Sequence, residues 1–180
     1  MSEALTDADA ISSMRAVAHP VRLRILSLLT AQAMSAAEVA RALDLTHANA
    51  SYHLRFLHDA GELVVESEEK IRGGMAKRYR YVVLDKPSGS PVSAEDMIAY
   101  VHAIGTEVTR RVVDRRKAPS HWADIETWVE PEVWDEVLTL ANRASELLHA
   151  HASPPGTDGA MHVSYSGMAF QMHRTDGADS

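Results

Sequence analysis

The chain has 180 residues, 46% of them hydrophobic and 24% charged, which is enough for one large domain or two small ones with a buried core. It contains no cysteine, so disulfides, thiolate metal sites and thiol nucleophiles are excluded, and a reducing compartment is favoured. The acidic N-terminus lacks the apolar run of a signal peptide, and no stretch is long and apolar enough to span a membrane, so a cytoplasmic location is expected.

The formal net charge of −7 argues against a uniformly basic nucleic-acid binder, but the charge is distributed unevenly. Residues 11–86 carry 11 Lys and Arg against 8 Asp and Glu, a net charge of +3. Residues 87–180 carry 7 against 14, a net charge of −7. Because the local field steers a polyanion, any surface for nucleic acid is expected in the first half of the chain, with moderate non-specific affinity.

The first predicted element is a helix that begins near Thr6 or Asp7, within or just after a flexible N-terminus of residues 1–10. His19-Pro20 ends it, because a residue before proline disfavours the helical conformation. Pro20 suits the first turn of a second helix, which continues through VRLRILSLLTAQ.

Two further helices are predicted around a tight turn. Ser35 and Glu38 have the spacing of a capping box at the start of the first. Thr46 is an N-cap for the second, which runs from about His47 to Ala60 and stops at Gly61, a residue that suits a left-handed C-terminal cap.

The second of these helices has two different faces. Ala50, Leu54 and Leu57 form an apolar stripe that predicts a buried side. The other side carries small polar, amide, aromatic and guanidinium groups, which can bond to base edges and phosphates. The alternative is that the two helices only pack against each other.

A β-hairpin follows. Leu63–Ser67 predicts a short strand and Lys77–Leu84 a second one, around a polar tip that contains Gly73-Gly74. A hairpin directly after such a helix pair is a wing, whose basic side chains can reach phosphates or the minor groove; the alternative is an ordinary solvated hairpin. These basic side chains are Lys70, Arg72, Lys77, Arg78 and Arg80.

Three motifs together resemble the winged helix-turn-helix regulators of the ArsR (arsenic-repressor-like) type: AVAHPVRLRIL at residues 16–26, SYHLRFLHDAG at 51–61 and RYRY at 78–81. The resemblance covers about residues 11–85 and implies a homodimeric, bacterial-type DNA-binding regulator, most often a repressor released by an effector. It also implies a structural role for His53. The cysteines and Asp-x-His pairs of metal sensors in that family are absent, and His149 and His151 point to different sides of a helix, so no metal site is predicted.

Residues 87–92 predict a linker, and Ser93 caps the long helix that follows. An apolar stripe on this helix is predicted to form the dimer interface. Its members are Met97, Val101, Ile104, Val108 and Val112.

Pro131 starts a last helix, and three tryptophans lie near it, at positions 122, 128 and 134. They predict core or interface anchors or, alternatively, the lining of a pocket for a small hydrophobic effector. Met161–Met172 alternates like an edge strand that pairs with the wing or across a dimer, and residues 175–180 are expected to be disordered.

The sequence therefore predicts a mainly α fold with a small β-hairpin wing. A winged helix-turn-helix domain spans residues 11–86, and a helical dimerisation region that ends in a strand spans 93–174. The predicted function is a homodimeric repressor that binds double-stranded DNA at a pseudo-palindromic operator, with no catalytic residue and no cofactor. The alternative is a winged-helix protein-interaction module without DNA binding. The predicted DNA-binding residues are Thr46, His47, Asn49, Ser51, Tyr52, Arg55, Lys77, Arg78 and Arg80.

Overall fold

The computed structural model describes residues 14–71, 74–82 and 93–172. The predicted flexible N-terminus (1–10), linker (87–92) and C-terminal tail (175–180) lie outside the described residues, as do the start of the first predicted helix and Arg72 and Gly73 of the wing tip. The regular elements are helices α1 (Pro20–Leu29), α2 (Ala36–Leu43), α3 (His47–Asp59), α4 (Ala94–Val113) and α5 (Pro131–Ala150), and strands β1 (Met34–Ser35), β2 (Leu63–Ile71) and β3 (Gly74–Tyr81).

The break at His19-Pro20 has the predicted form. Residues 14–17 are helical, and His19 is the extended N-cap of α1. Its Nδ1 accepts a hydrogen bond from the Val21 amide at 3.1 Å. Pro20 occupies the first helical turn, where a missing N–H costs nothing.

The caps of the helix pair also agree with the sequence. Ser35 and Glu38 form the capping box of α2, with the Ser35 amide 2.7 Å from a Glu38 carboxylate oxygen. The Thr46 hydroxyl accepts a hydrogen bond from the Asn49 amide at 3.2 Å at the start of α3. Gly61 has φ +74°, the left-handed conformation predicted for the residue that ends this helix.

The wing hairpin extends further towards its tip than the sequence predicted, and it belongs to a three-stranded sheet. The sheet has the order β1-β3-β2, with antiparallel pairing throughout. A bulge lies between Val65 and Ser67, so the register shifts in the middle of β2. The two-residue strand β1 was not predicted, because so short a segment has no alternation to detect. It ties the wing to the start of α2.

The core lies where α1, α2, α3 and the base of the wing meet. Its fully buried large side chains are Ile25, Leu29, Val39, Leu54 and Leu57. Tyr79 of β3 is also buried, and strand alternation places it on the opposite face from the neighbouring arginines. This core holds α3 by its apolar stripe and therefore fixes which side of α3 is presented to solvent.

Helix α4 packs against α1 through one face. Asp96 is buried and pairs with Arg15 at 3.4 Å, and the buried Glu107 pairs with Arg110 at 2.9 Å. The predicted dimer stripe lies beside that face. Val101 is exposed, and Met97, Ile104, Val108 and Val112 are half-buried.

The C-terminal part buries little within the chain. Residues 115–130 form no helix or strand and are exposed, and no residue of α5 is buried. The ring of His149 on α5 contacts Tyr81 of the wing edge-on, with centroids 5.9 Å apart. The predicted strand over Met161–Met172 is absent: the segment is exposed and forms no ladder, because a strand exists only where a neighbour accepts and donates its backbone hydrogen bonds. No helix in the described ranges is long and apolar enough to cross a membrane.

Candidate nucleic-acid interface

Helix α3 presents the side that the sequence predicted to be free. Ala50, Leu54 and Leu57 are fully buried beneath it. On the opposite side Tyr52 is 55% exposed, and the remaining predicted residues of the helix are exposed except Ser51, which is half-buried. Nothing from the described C-terminal half covers this side. The exposed residues are Thr46, His47, Asn49, Tyr52 and Arg55.

The N-terminal end of α3 favours an anion. The helix macrodipole gives this end a partial positive charge, and the first turn contains no acidic residue. The Thr46 hydroxyl bonds to only one of the backbone N–H groups that have no intrahelical partner in the first turn of α3. One turn after Ser51, the Arg55 Nε donates to the Ser51 carbonyl oxygen at 3.3 Å, which places the guanidinium along the exposed side. This end of the helix can therefore accept a phosphate beside the polar groups that could reach base edges.

An aromatic and cationic cluster supports α3 from the side of α1, and sequence reasoning did not find it. The Arg22 guanidinium carbon lies 4.4 Å from the centre of the Phe56 ring, a cation–π contact. The Phe56 and Tyr52 rings have centroids 6.2 Å apart. The i, i+4 spacing of Tyr52 and Phe56 was the available signal, but Arg22 is joined to them only by tertiary packing.

Two histidines lie under this cluster. The rings of His19 and His53 have centroids 5.1 Å apart, and His53 Nδ1 is buried with no partner among the described residues. Burial lowers the pKa of His53, and the positive charges of His19 and Arg22 lower it further. Burial, followed by Arg22, likewise lowers the pKa of His19. Both rings are therefore held neutral at pH 7, and their contacts agree with a structural role for His53.

Arg78 has a different environment from the one expected of a DNA contact. Its side chain is only 24% exposed and is directed towards α2. It donates to the Ala33 carbonyl oxygen at 2.7 Å and pairs with Glu38 at 3.0 Å. A weaker pair with Glu69 lies at 3.6 Å. Arg78 thus connects the wing to the capping box of α2, because the pairing of β1 with β3 brings it there.

Two other wing cations also face acidic neighbours. Arg80 pairs with Glu66 at 3.2 Å across the hairpin, and Lys77 lies opposite Glu68 in the strand register. The described wing is therefore nearly balanced in charge rather than a basic face. Lys70 and Lys77 are its exposed lysines, and Lys70 lies opposite Met75 rather than opposite an acidic residue.

Glu38 joins the wing to the helix pair electrostatically. The backbone hydrogen bond from Ser35 is the main cause that lowers the pKa of Glu38, and bonds from the Ser35 hydroxyl and the Arg78 guanidinium act in the same direction. The carboxylate is therefore ionised at neutral pH and holds both partners.

Comparison with known proteins places this arrangement in a family. The helix-turn-helix domain family matches residues 17–66, which span α1, α2, α3 and the start of the wing. An uncharacterized HTH-type transcriptional regulator of Methanocaldococcus jannaschii, MJ0229, is 36% identical over 70 residues. The match covers 39% of this chain and 72% of that protein. The chain belongs to the HTH-type transcriptional regulators.

Two solved structures also resemble this regulator, HlyU from Vibrio cholerae N16961 and its reduced form. Each is 22% identical, with a TM-score of 0.35, over 60% of this chain. The alignment covers 92% of the reduced form and 95% of the other.

The tryptophans of the C-terminal half are largely exposed in the described part of the chain. Trp122 and Trp128 are 68% and 75% exposed on the irregular segment, and Trp134 is half-buried on α5. The exposure of these rings does not favour a tryptophan-lined pocket in the single chain, and an effector site stays a prediction. Among the described residues no group of three His, Cys, Asp or Glu side chains could hold a metal ion, and His149 instead contacts Tyr81 and the Ser145 carbonyl oxygen.

Proposed function

We propose that this regulator is a cytoplasmic, homodimeric winged helix-turn-helix repressor of the ArsR type. Its two copies of α3 enter successive major grooves of a pseudo-palindromic operator. The DNA-binding domain spans residues 11–86, and residues 93–174 form the dimerisation region. Release from the operator is assigned to an effector other than a metal ion.

The observation that carries this proposal is the exposed side of α3. Asn49, Tyr52 and Arg55 lie on it, next to a helix end that has a polar cap and no acidic residue. Amide and guanidinium groups can form paired hydrogen bonds with adenine and guanine edges in the major groove. We assign Asn49 to a base edge and Arg55 to guanine or a phosphate, with Thr46, His47, Ser51 and Tyr52 as their neighbours.

In the wing, we assign the phosphate contact to Lys77. Arg80 contributes only if it exchanges Glu66 for a phosphate, which is feasible because both side chains are partly exposed. Arg78 is removed from the interface in this proposal, because its guanidinium already has two close partners on the far side of the strand.

Dimerisation is supported by α4. Its stripe of half-buried and exposed apolar side chains runs beside the face that packs on α1, so it remains available to a second copy. A two-fold pair would place the two α3 helices about 34–36 Å apart, one turn of DNA. A hydrophobic effector would then bind where the tryptophan segments of two copies meet.

The test compares Asn49→Ala with the wild type on DNA from the region upstream of its own gene, by fluorescence anisotropy at several salt concentrations. Loss of a bidentate base contact should weaken operator binding by about 10- to 100-fold and leave binding to random DNA unchanged. Arg143→Ala is the matched control, because Arg143 is exposed on α5 and pairs only with Glu146. Equal affinity of Asn49→Ala and wild type for the operator would contradict the role of Asn49.

The balanced charge of the wing keeps a protein-interaction module as the second candidate. If the wild type binds no DNA at low salt but forms a stable complex with another protein, that function replaces the proposed one.

A further inference from the structure

The C-terminal half of the chain carries an unusual amount of exposed apolar surface. Of the 24 large hydrophobic side chains that are exposed in the described residues, 15 lie between Trp122 and Met172. Monomeric proteins rarely leave contiguous apolar patches of this size uncovered. Exposure on this scale among the described residues indicates a surface that is covered by a partner.

The area involved is sufficient for a dimer. The four most prominent aromatic side chains, Trp122, Trp128, Tyr165 and Phe170, are between 48% and 75% exposed. Taking about 200 Å² for a fully exposed aromatic side chain, they offer about 500 Å² per copy. Two copies offer about 1,000 Å² before any aliphatic residue is counted, which reaches the lower limit for a specific interface.

Charge indicates what covers it. The segment 121–136, called here the acidic arm, contains six Asp and Glu and no Lys or Arg. Just before it lies the basic run Arg115–Lys117. Helix α4 ends at Val113, and Arg110 and Arg111 already occupy its last turn, so complementing the helix dipole does not account for the basic run.

Neither charged segment is neutralised within the described chain. Arg110 and Arg111 pair with the buried Glu107, whereas no ion pair joins the basic run to the acidic arm. The two segments are complementary in charge and adjacent to the proposed α4 interface. A second copy would supply each with its opposite.

From this we infer that the acidic arm is exchanged in the dimer: residues 121–136 of one copy lie on the basic run at the end of α4 of the other copy, with Trp122 and Trp128 buried at the contact. The inference rests on the homodimer of the proposed function and adds how its two copies are joined. The exchange buries the part of the exposed apolar surface that the arm carries, which includes Trp122 and Trp128 but not Tyr165 or Phe170.

The experiment uses two full-length charge-reversal variants. The run variant carries Arg115→Glu, Arg116→Glu and Lys117→Glu. The arm variant carries Asp124→Lys, Glu126→Lys and Glu136→Lys. All six side chains are exposed and have no ion pair among the described residues, so the fold should be unaffected. The run variant alone places like charges opposite each other in a homodimer, and the arm variant alone leaves an arm of no net charge opposite the basic run. In an equimolar mixture the heterodimer keeps one wild-type contact and, in the other, places the three introduced lysines opposite the three introduced glutamates.

Dimer dissociation constants are measured by sedimentation, and native mass spectrometry distinguishes homodimers from the heterodimer. We expect each variant alone to dimerise at least about 10-fold more weakly than the wild type. The mixture should form the heterodimer with an affinity within about 3-fold of the wild type, together with a blue shift of tryptophan emission. A variant that failed to fold could not be restored by its partner, so restoration also controls for folding.

Three results would overturn the inference. If each variant dimerises as well as the wild type, the arm does not contact the run, although the dimer itself stands. If mixing restores nothing and only the six-fold variant in one chain does, the contact is within one chain. If the wild type is a monomer at 100-fold above its DNA-binding concentration, both the inference and the proposed homodimer fail, whereas DNA binding by α3 is judged separately from the Asn49 variant.

Discussion

Replacing Arg78 with alanine distinguishes a role in folding from a role in DNA binding. The sequence places it among the phosphate-binding cations of the wing, and Arg78→Ala would then weaken DNA binding at every sequence. The structure gives it partners on α2 and before β1 instead, with the Ala33 carbonyl oxygen at 2.7 Å and Glu38 at 3.0 Å. The same substitution should therefore act on folding.

The expected loss of stability follows from these contacts. A hydrogen bond from a charged donor to a protein group contributes about 1.5–3 kcal/mol, and alanine removes the bond to Ala33. The pair with Glu38 adds little by itself, because both side chains are 24–32% exposed, and exposed pairs contribute about 0–1 kcal/mol. We expect Arg78→Ala to lower the free energy of unfolding by about 2 kcal/mol. For a small domain this corresponds to a fall in melting temperature of about 8–16 °C.

The assay combines urea denaturation with the salt dependence of DNA binding. Each phosphate contact contributes about 0.9 to the slope of log K against log salt concentration. Arg78→Ala should leave this slope unchanged while the protein is folded, whereas Lys77→Ala should reduce it by about 0.9. Arg80→Ala is the matched control for stability, because its pair with Glu66 is more exposed and should contribute less than about 1 kcal/mol.

The reasoning is refuted by the reverse pattern. If Arg78→Ala unfolds within about 0.5 kcal/mol of the wild type and loses about 0.9 in salt slope, Arg78 is a DNA contact and its bonds to α2 are incidental.

Two further predictions concern α4 and the histidine pair. An alanine Cβ at the exposed Gly105 would meet nothing within 4 Å in one chain, so Gly105→Ala should stabilise the monomer by about 1 kcal/mol through helix propensity. If two α4 helices cross at this position, the same substitution should weaken dimerisation by about 10-fold. Unfolding curves measure the first effect and sedimentation the second, and an unchanged dimer would exclude a crossing at Gly105. The folded-state pKa values of His19 and His53 are lowered, so the unfolded chain binds more protons than the folded chain below about pH 6.5. The free energy of unfolding should therefore fall as the pH decreases through and below that value, by at most about 1.4 kcal/mol per pH unit for each histidine. His53→Phe should flatten this dependence in urea titrations at pH 7.5 and 5.5, and an equally steep dependence would place the titrating group elsewhere.

Local signals predicted the helix-turn-helix well because its boundaries are decided by neighbouring residues. The capping box of Ser35 and Glu38, the Thr46 cap and the left-handed Gly61 each involve contacts within a few positions in the chain. The stripe on α3 predicted the buried side because one helical period is enough to define a face. Once the buried face of α3 is defined, the exposed face is the opposite one.

The partners of the wing cations could not be predicted in the same way. Arg78 contacts Ala33 and Glu38, which lie 45 and 40 positions earlier in the chain. These contacts depend on the register of β3 against β1. The bulge after Val65 further changes which residues of β2 face each cation. A count of basic residues along a strand gives no information on such pairing.

The C-terminal half shows a different limit of periodicity. Apolar residues at helical spacing in α5, among them Val133, Val137 and Leu140, and the alternation of Met161–Met172 both predict that a face is covered. The pattern is identical whether the cover comes from the same chain or from another copy. In the single chain α5 buries no residue and the alternating segment forms no ladder. A core that is completed between two chains has this signature: regular amphipathic patterning with high exposure in one chain. The prediction of a terminal strand is therefore wrong for the described chain, because a strand needs a partner edge and none lies beside this segment.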